Sequence, residues 1–143
     1  MNNIQPLKIL VLCTGNSCRS QMAEGYLRYY AGERALIMSA GLEVHGVNPG
    51  AIATMKEDGI DISNHTSNHL NEFRHNSFDY IITVCDHAKE SCPFFPGNAI
   101  RIHQNFPDPA KASGTKEEIA EEFRKTRNLI KKFAQNFVNQ YIV

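Results

Sequence analysis

Residues 8–13 read Lys-Ile-Leu-Val-Leu-Cys, a continuous apolar run stopped by Thr14-Gly15-Asn16. Such a run has no polar face to give to water, so it suits a strand covered on both sides in a parallel sheet. From Arg19 the apolar residues Met22, Ala23, Tyr26, Leu27 and Tyr30 recur at helical spacing, and Gly32 supplies a stop after Ala31. Residues 35–39 and 80–85 (Tyr-Ile-Ile-Thr-Val-Cys) read as further strands, and 99–103 as a shorter one. Asn48-Pro49 opens a helix expected to end near Gly59. Thr115 and Glu118 form a capping box ahead of the stripe Ile119, Phe123, Thr126, Ile130, Phe133, Phe137. Strands alternating with helices imply an α/β fold, a parallel sheet flanked by helices on both faces, with ligands beyond the carboxyl ends of the strands. Cys13 and Cys85 are both expected to end strands on that edge.

The 143 residues suit a single domain, 1–143, that buries a core without metal or disulfide staples. Fifteen basic residues offset fifteen acidic ones, so no global positive field would hold a polyanion, and nucleic acid is not an expected partner. Residues 1–7 lack the pattern of a secretory signal, and no apolar run is long enough to span a bilayer. A cytoplasmic monomer without a membrane partner is expected. In a reducing compartment the four thiols, Cys13, Cys18, Cys85 and Cys92, point to catalysis or metal binding rather than to disulfide staples.

The segment from Cys13 to Arg19, Cys-Thr-Gly-Asn-Ser-Cys-Arg, sets a thiol at a strand end, a tight loop, and an arginine where a helix starts. The amides of Thr14, Gly15, Asn16, Ser17, Cys18 and Arg19, at the positive end of a helix dipole, can enclose a tetrahedral oxyanion. Gly15 permits the turn, and Arg19 can grip two oxygens at once. The same groups favour a Cys13 thiolate, expected to form closer to neutrality than the usual thiol pKa of about 8.5. Ser20 could donate its hydroxyl to that sulfur. This loop resembles the Cys-x5-Arg signature of protein tyrosine phosphatases, and its N-terminal placement with Ser20 after it resembles their low-molecular-weight branch. The resemblance implies a four-stranded parallel sheet, with Cys13 as nucleophile, Asn16 bracing the loop, Arg19 binding the oxyanion and Ser20 supporting the thiolate.

Expelling an oxygen leaving group calls for a general acid. Asp108, in Asn105-Phe-Pro-Asp-Pro109, is the candidate, and the family carries its acid in a similar Asp-Pro loop. Ala110 and Lys111 follow it where these phosphatases generally place an aromatic wall for phosphotyrosine. The chain also has Cys85 and Cys92 seven positions apart. Together with Ser39-Ala-Gly41, His45-Gly-Val-Asn-Pro49, Ile60-Asp-Ile-Ser-Asn64 and Cys92-Pro93, this resembles the thioredoxin-coupled arsenate reductases of the same fold. That resemblance implies reduction of arsenate to arsenite, in arsenic detoxification, through a thiol–disulfide relay: Cys13 attacks, then Cys85, then Cys92, and thioredoxin restores the dithiol. Phosphate or sulfate would mimic the substrate, and no tightly bound cofactor is implied. Cys18 is assigned to packing.

Three alternatives stay open on sequence. A low-molecular-weight phosphatase would hydrolyse a Cys13 phosphocysteine. Zinc on Cys85, His87 and Cys92 lacks the paired knuckle spacing of structural sites. A plain anion-binding module leaves the thiol unexplained. Some relatives bind potassium near the loop; Asn16, Glu24 and Ser39 match that set, and Asn68 stands where a carboxylate would. No catalysis is assigned to His45, His65, His69, His75 or His103.

Overall fold

The computed structural model describes residues 5–142; residues 1–4, most of the segment read as lacking a signal, lie outside them. Four parallel strands, β1 (Leu7–Cys13), β2 (Ala35–Gly41), β3 (Tyr80–Thr83) and β4 (Ile100–His103), run in the order β2-β1-β3-β4. Ile9, Leu10, Val11 and Leu12 are all buried, so both faces of β1 are covered, as its continuous apolar run requires.

Helix α1 (Arg19–Ala31) packs on β1, β2 and the long α4 (Lys116–Tyr141), and α2 (Pro49–Glu57) on α1 and α4. Asn48 caps α2 by accepting from the Gly50 amide at 2.7 Å, with Pro49 at the first helical position. The Thr115–Glu118 box closes reciprocally at 3.1 Å in each direction. α4 buries Phe123, Thr126, Ile130, Ala134, Phe137 and Val138 on one stripe. α1 is different: Ser20, Gln21 and Glu24 are buried along with Met22, Ala23, Tyr26 and Leu27. A helix that buries polar residues in its first two turns must satisfy them, and here they hold the preceding loop.

β3 is shorter than the sequence suggests. It stops at Thr83, and Cys85 instead caps a six-residue helix, α3 (Asp86–Ser91), whose composition offers no periodicity to read. The strand order places the ends of β1 and β3 side by side: Leu12 faces Thr83, and the Val84 amide donates to the Leu12 carbonyl at 3.0 Å. Cys13 follows Leu12 and Cys85 follows Val84, so that hydrogen bond brings the two cysteines together. No helix among the described residues is long and apolar enough to cross a membrane.

Candidate active site

The turn from β1 into α1 has its carbonyls facing one way. Leu42, Glu43, His45 and Asn48 donate their amides to the carbonyls of Cys13, Thr14, Gly15 and Ser17 at 3.3, 2.8, 3.0 and 3.0 Å. Gln21 Nε2 donates to the Asn16 carbonyl and the Met22 amide to that of Cys18, both at 3.0 Å. With its carbonyls engaged on the outside, the loop leaves its amides toward the inside, a concave array of N–H groups that suits an oxyanion. At Gly15 a Cβ would run into the exposed His45 ring, which would have to swing aside. At Gly41, opposite Cys13 in β2, a Cβ would sit 2.7 Å from the Asn16 amide nitrogen and 2.8 Å from the Thr14 carbonyl oxygen. Backbone cannot yield there, so Gly41→Ala is expected to cost about 1–3 kcal/mol in denaturant unfolding. Anion binding should weaken with it; wild-type stability would show the loop to be soft.

Asn16 takes a left-handed backbone (φ 48°), tolerable for asparagine and fixed by its side chain. Its Nδ2 donates to Ser20 Oγ at 2.8 Å and Ser39 Oγ at 2.9 Å, while its Oδ1 accepts from the Asn68 amide at 2.7 Å. Ser39 Oγ donates to Glu24 Oε1 at 2.6 Å, and Arg28 pairs with Glu24 at 2.9 Å. His65 braces the same layer through Gln21 at 3.0 Å, and burial lowers its pKa. Ser20 therefore accepts from Asn16 and supports the loop; among the described residues it makes no bond to the Cys13 sulfur. The four residues proposed for potassium do meet here, but they do not present a cation cage. Asn16 turns donors into the cluster, its oxygen is taken, Ser39 donates to Glu24, and Arg28 balances the carboxylate.

Cys13 and Cys85 are buried and lie near enough for each thiol to shift the other's ionisation. Thr14 Oγ1 lies 3.3 Å from the Cys85 sulfur, and the Ala88 amide donates to it at 3.4 Å. The Cys13 thiol, the Thr14 hydroxyl, the Ala88 amide and Arg19 together lower Cys85 from 9.0 to about 5. The Cys85 sulfur and burial raise Cys13 above the ordinary thiol range, outweighing Arg19 and the Thr14 amide. The sequence reading placed the low ionisation on Cys13; the structure gives it to the pair, which holds one proton between two sulfurs. Thiolate absorbance near 240 nm should therefore show one ionisation near pH 5 in the difference between wild type and Cys85→Ser. In Cys13→Ala, which removes the largest cause, that ionisation should move up. A first ionisation near 9 in the wild type would contradict the shared proton.

Arg19 closes the cavity above this pair, donating from Nη1 to the Phe106 carbonyl at 3.0 Å, with Nη2 3.6 Å from Asp108 Oδ2. The carboxylate also accepts from the Ala110 amide at 3.0 Å, capping the turn Pro109–Lys111. The cavity measures about 460 Å³ and is lined by the loop, Arg19, Asp108, His45, Asn48, Ala110 and Lys111. Among the described residues no Phe, Tyr or Trp walls it, and His45 and Lys111 on its rim were given no role from sequence. Cys18 also lines it; burial first, then Asp108, push its thiol up to about 12, so it stays neutral.

Cys92 is not gathered into this group. It follows the C-terminal end of α3, with Arg101 Nη1 2.8 Å from its sulfur. Among the described residues no three or more His, Cys, Asp or Glu side chains come together as a metal-binding cluster.

The model of the family described as low molecular weight phosphotyrosine protein phosphatase matches residues 8–142. An arsenate reductase from Halalkalibacterium halodurans is 50% identical over 129 residues, spanning 90% of this chain and 93% of that protein. One from Bacillus subtilis is 47% identical over 131 residues, 89% and 94% of the two chains. A solved structure of an arsenate reductase in the phosphate-binding state superposes with a TM-score of 0.78 at 33% identity, covering 96% of this chain and 99% of that one.

Proposed function

The chain belongs to the low molecular weight phosphotyrosine protein phosphatase family, and from that premise we propose that it is an arsenate reductase working by a three-cysteine relay. The observation that carries the reading is a second buried thiol, Cys85, beside Cys13, which itself lines the anion cavity. A phosphatase needs one sulfur there, whereas a reductase needs a second within reach of the first. The relatives named arsenate reductase, matched over nearly their whole length, support the same choice.

Cys13 attacks arsenate held by the loop amides and Arg19, Asp108 protonates the departing oxygen, and a sulfur–arsenic bond forms. Cys85 then attacks the Cys13 sulfur. A disulfide forms, the sulfur–arsenic bond breaks, and its electron pair leaves with arsenite. Cys92 next attacks Cys85, freeing Cys13 and leaving Cys85–Cys92 for a thioredoxin dithiol to reduce. The low first ionisation belongs to the pair and suits a relay whose opening attack needs a thiolate at neutral pH. Cys92 must travel for the third. As caps of α3 the two cysteines stand about 10 Å apart at 1.5 Å per residue, and a disulfide needs their Cα atoms within about 7 Å, so α3 unwinds.

Arsenate-dependent NADPH oxidation in the presence of thioredoxin and its reductase tests the proposal. Oxidation is expected only with all components present. Hydrolysis of a small phosphoester at a rate indifferent to reductant, without arsenate-dependent oxidation, would instead establish the phosphatase reading, whose Cys13 phosphocysteine the same cavity could form.

A further inference from the structure

Arg101 takes no part in the anion site, yet it makes the shortest polar contact to the third cysteine. It sits in β4, the edge strand paired only with β3. Its Nη1 lies 2.8 Å from Cys92 Sγ and its Nη2 donates to the Pro93 carbonyl at 3.3 Å. Two residues along the same strand, and so on the same face, His103 meets Asp86 Oδ1 at 2.7 Å. One rigid strand therefore holds both ends of α3. Cys92 rests in a separate cavity of about 290 Å³ lined also by Ile81, Thr83, Lys89 and Ile102.

The unwinding that brings Cys92 to Cys85 removes it from Arg101. The guanidinium contact to the Cys92 sulfur thus belongs to the dithiol form, and a contact made by only one of two states shifts the equilibrium toward it. We propose that Arg101 is a positioning residue of the relay that stabilises the reduced Cys85/Cys92 dithiol, keeping the disulfide easily reduced by a protein dithiol. The proposal rests on the relay reading. Its logic is that of any strongly oxidising disulfide, whose reduced form is the one held in place. N–H donors on sulfur are most effective when charged, which is what a guanidinium supplies.

The test is equilibration of the full-length protein with mixtures of reduced and oxidised dithiothreitol. One disulfide forms in the protein as one breaks in the reagent, and two electrons and two protons pass to it. Acid quenching, alkylation and peptide mapping give the fraction of Cys85–Cys92. Arg101→Met should shift the equilibrium toward the protein disulfide by about tenfold, which corresponds to a potential about 30 mV more negative. Arg101→Lys, which keeps charge and one donor site on an exposed side chain, should fall between the two. Equal constants for all three proteins would overturn the role of Arg101 and leave the relay standing. No Cys85–Cys92 disulfide in the wild type would overturn the relay and this inference with it.

Discussion

Cys85→Ser is expected to release no arsenite above background, a loss on the order of 10³-fold or more, while Cys13 still forms its adduct. Serine at this position cannot form a disulfide with Cys13, so the sulfur–arsenic bond has no partner to accept its sulfur. Cys92→Ser should behave differently. It retains both reacting sulfurs of the first two steps, and should release one equivalent of arsenite per enzyme before stopping as a Cys13–Cys85 disulfide. Rapid-quench measurement of arsenite against enzyme concentration separates the variants: zero equivalents for the first, one for the second. Continued turnover by Cys85→Ser would sink the relay. A full equivalent from Cys85→Ser and none from Cys92→Ser would reverse the order of the cysteines.

That distinction depends on the strand order, which periodicity in the sequence cannot show. The apolar run at 8–13, the loop to Arg19, the Asn48-Pro49 helix start and the Thr115 capping box are local patterns, and each forms as its residues suggest. The contacts that were not legible join distant parts of the chain. Cys13 and Cys85 meet because β3 rather than β2 lies on the side where α3 begins, and Arg101 reaches Cys92 across the same edge. Helix α3 is only six residues of mostly polar type, too short for a moment to emerge. Ser20 was read as donating to the Cys13 sulfur, since sequence shows adjacency but not direction. Its hydroxyl instead accepts from Asn16, in the layer that Asn16 joins to Ser39 and Glu24. The sequence also assigned one ionisation to one thiol, because burial and a second sulfur are visible only in three dimensions.

Arg19 separates charge from geometry, and its variants should show the two apart. In Arg19→Gln both are lost. Arg19 lowers Cys13 and Cys85 alike, so the first ionisation of the pair should rise, and kcat/KM for arsenate should fall by on the order of 10³-fold. Arg19→Lys keeps the positive charge but loses the planar fork. It cannot both hold the Phe106 carbonyl and face Asp108 as the guanidinium does at 3.0 and 3.6 Å, so the Asp-Pro turn loses its tether. The thiolate titration of Arg19→Lys should therefore stay close to wild type while kcat/KM still falls steeply. If lysine restored kcat/KM as well, the residue would act as a point charge and its two-pronged grip on oxyanion and acid loop would be refuted. If the titration moved as far in Arg19→Lys as in Arg19→Gln, the low ionisation would owe more to the loop's shape than to the neighbouring charge.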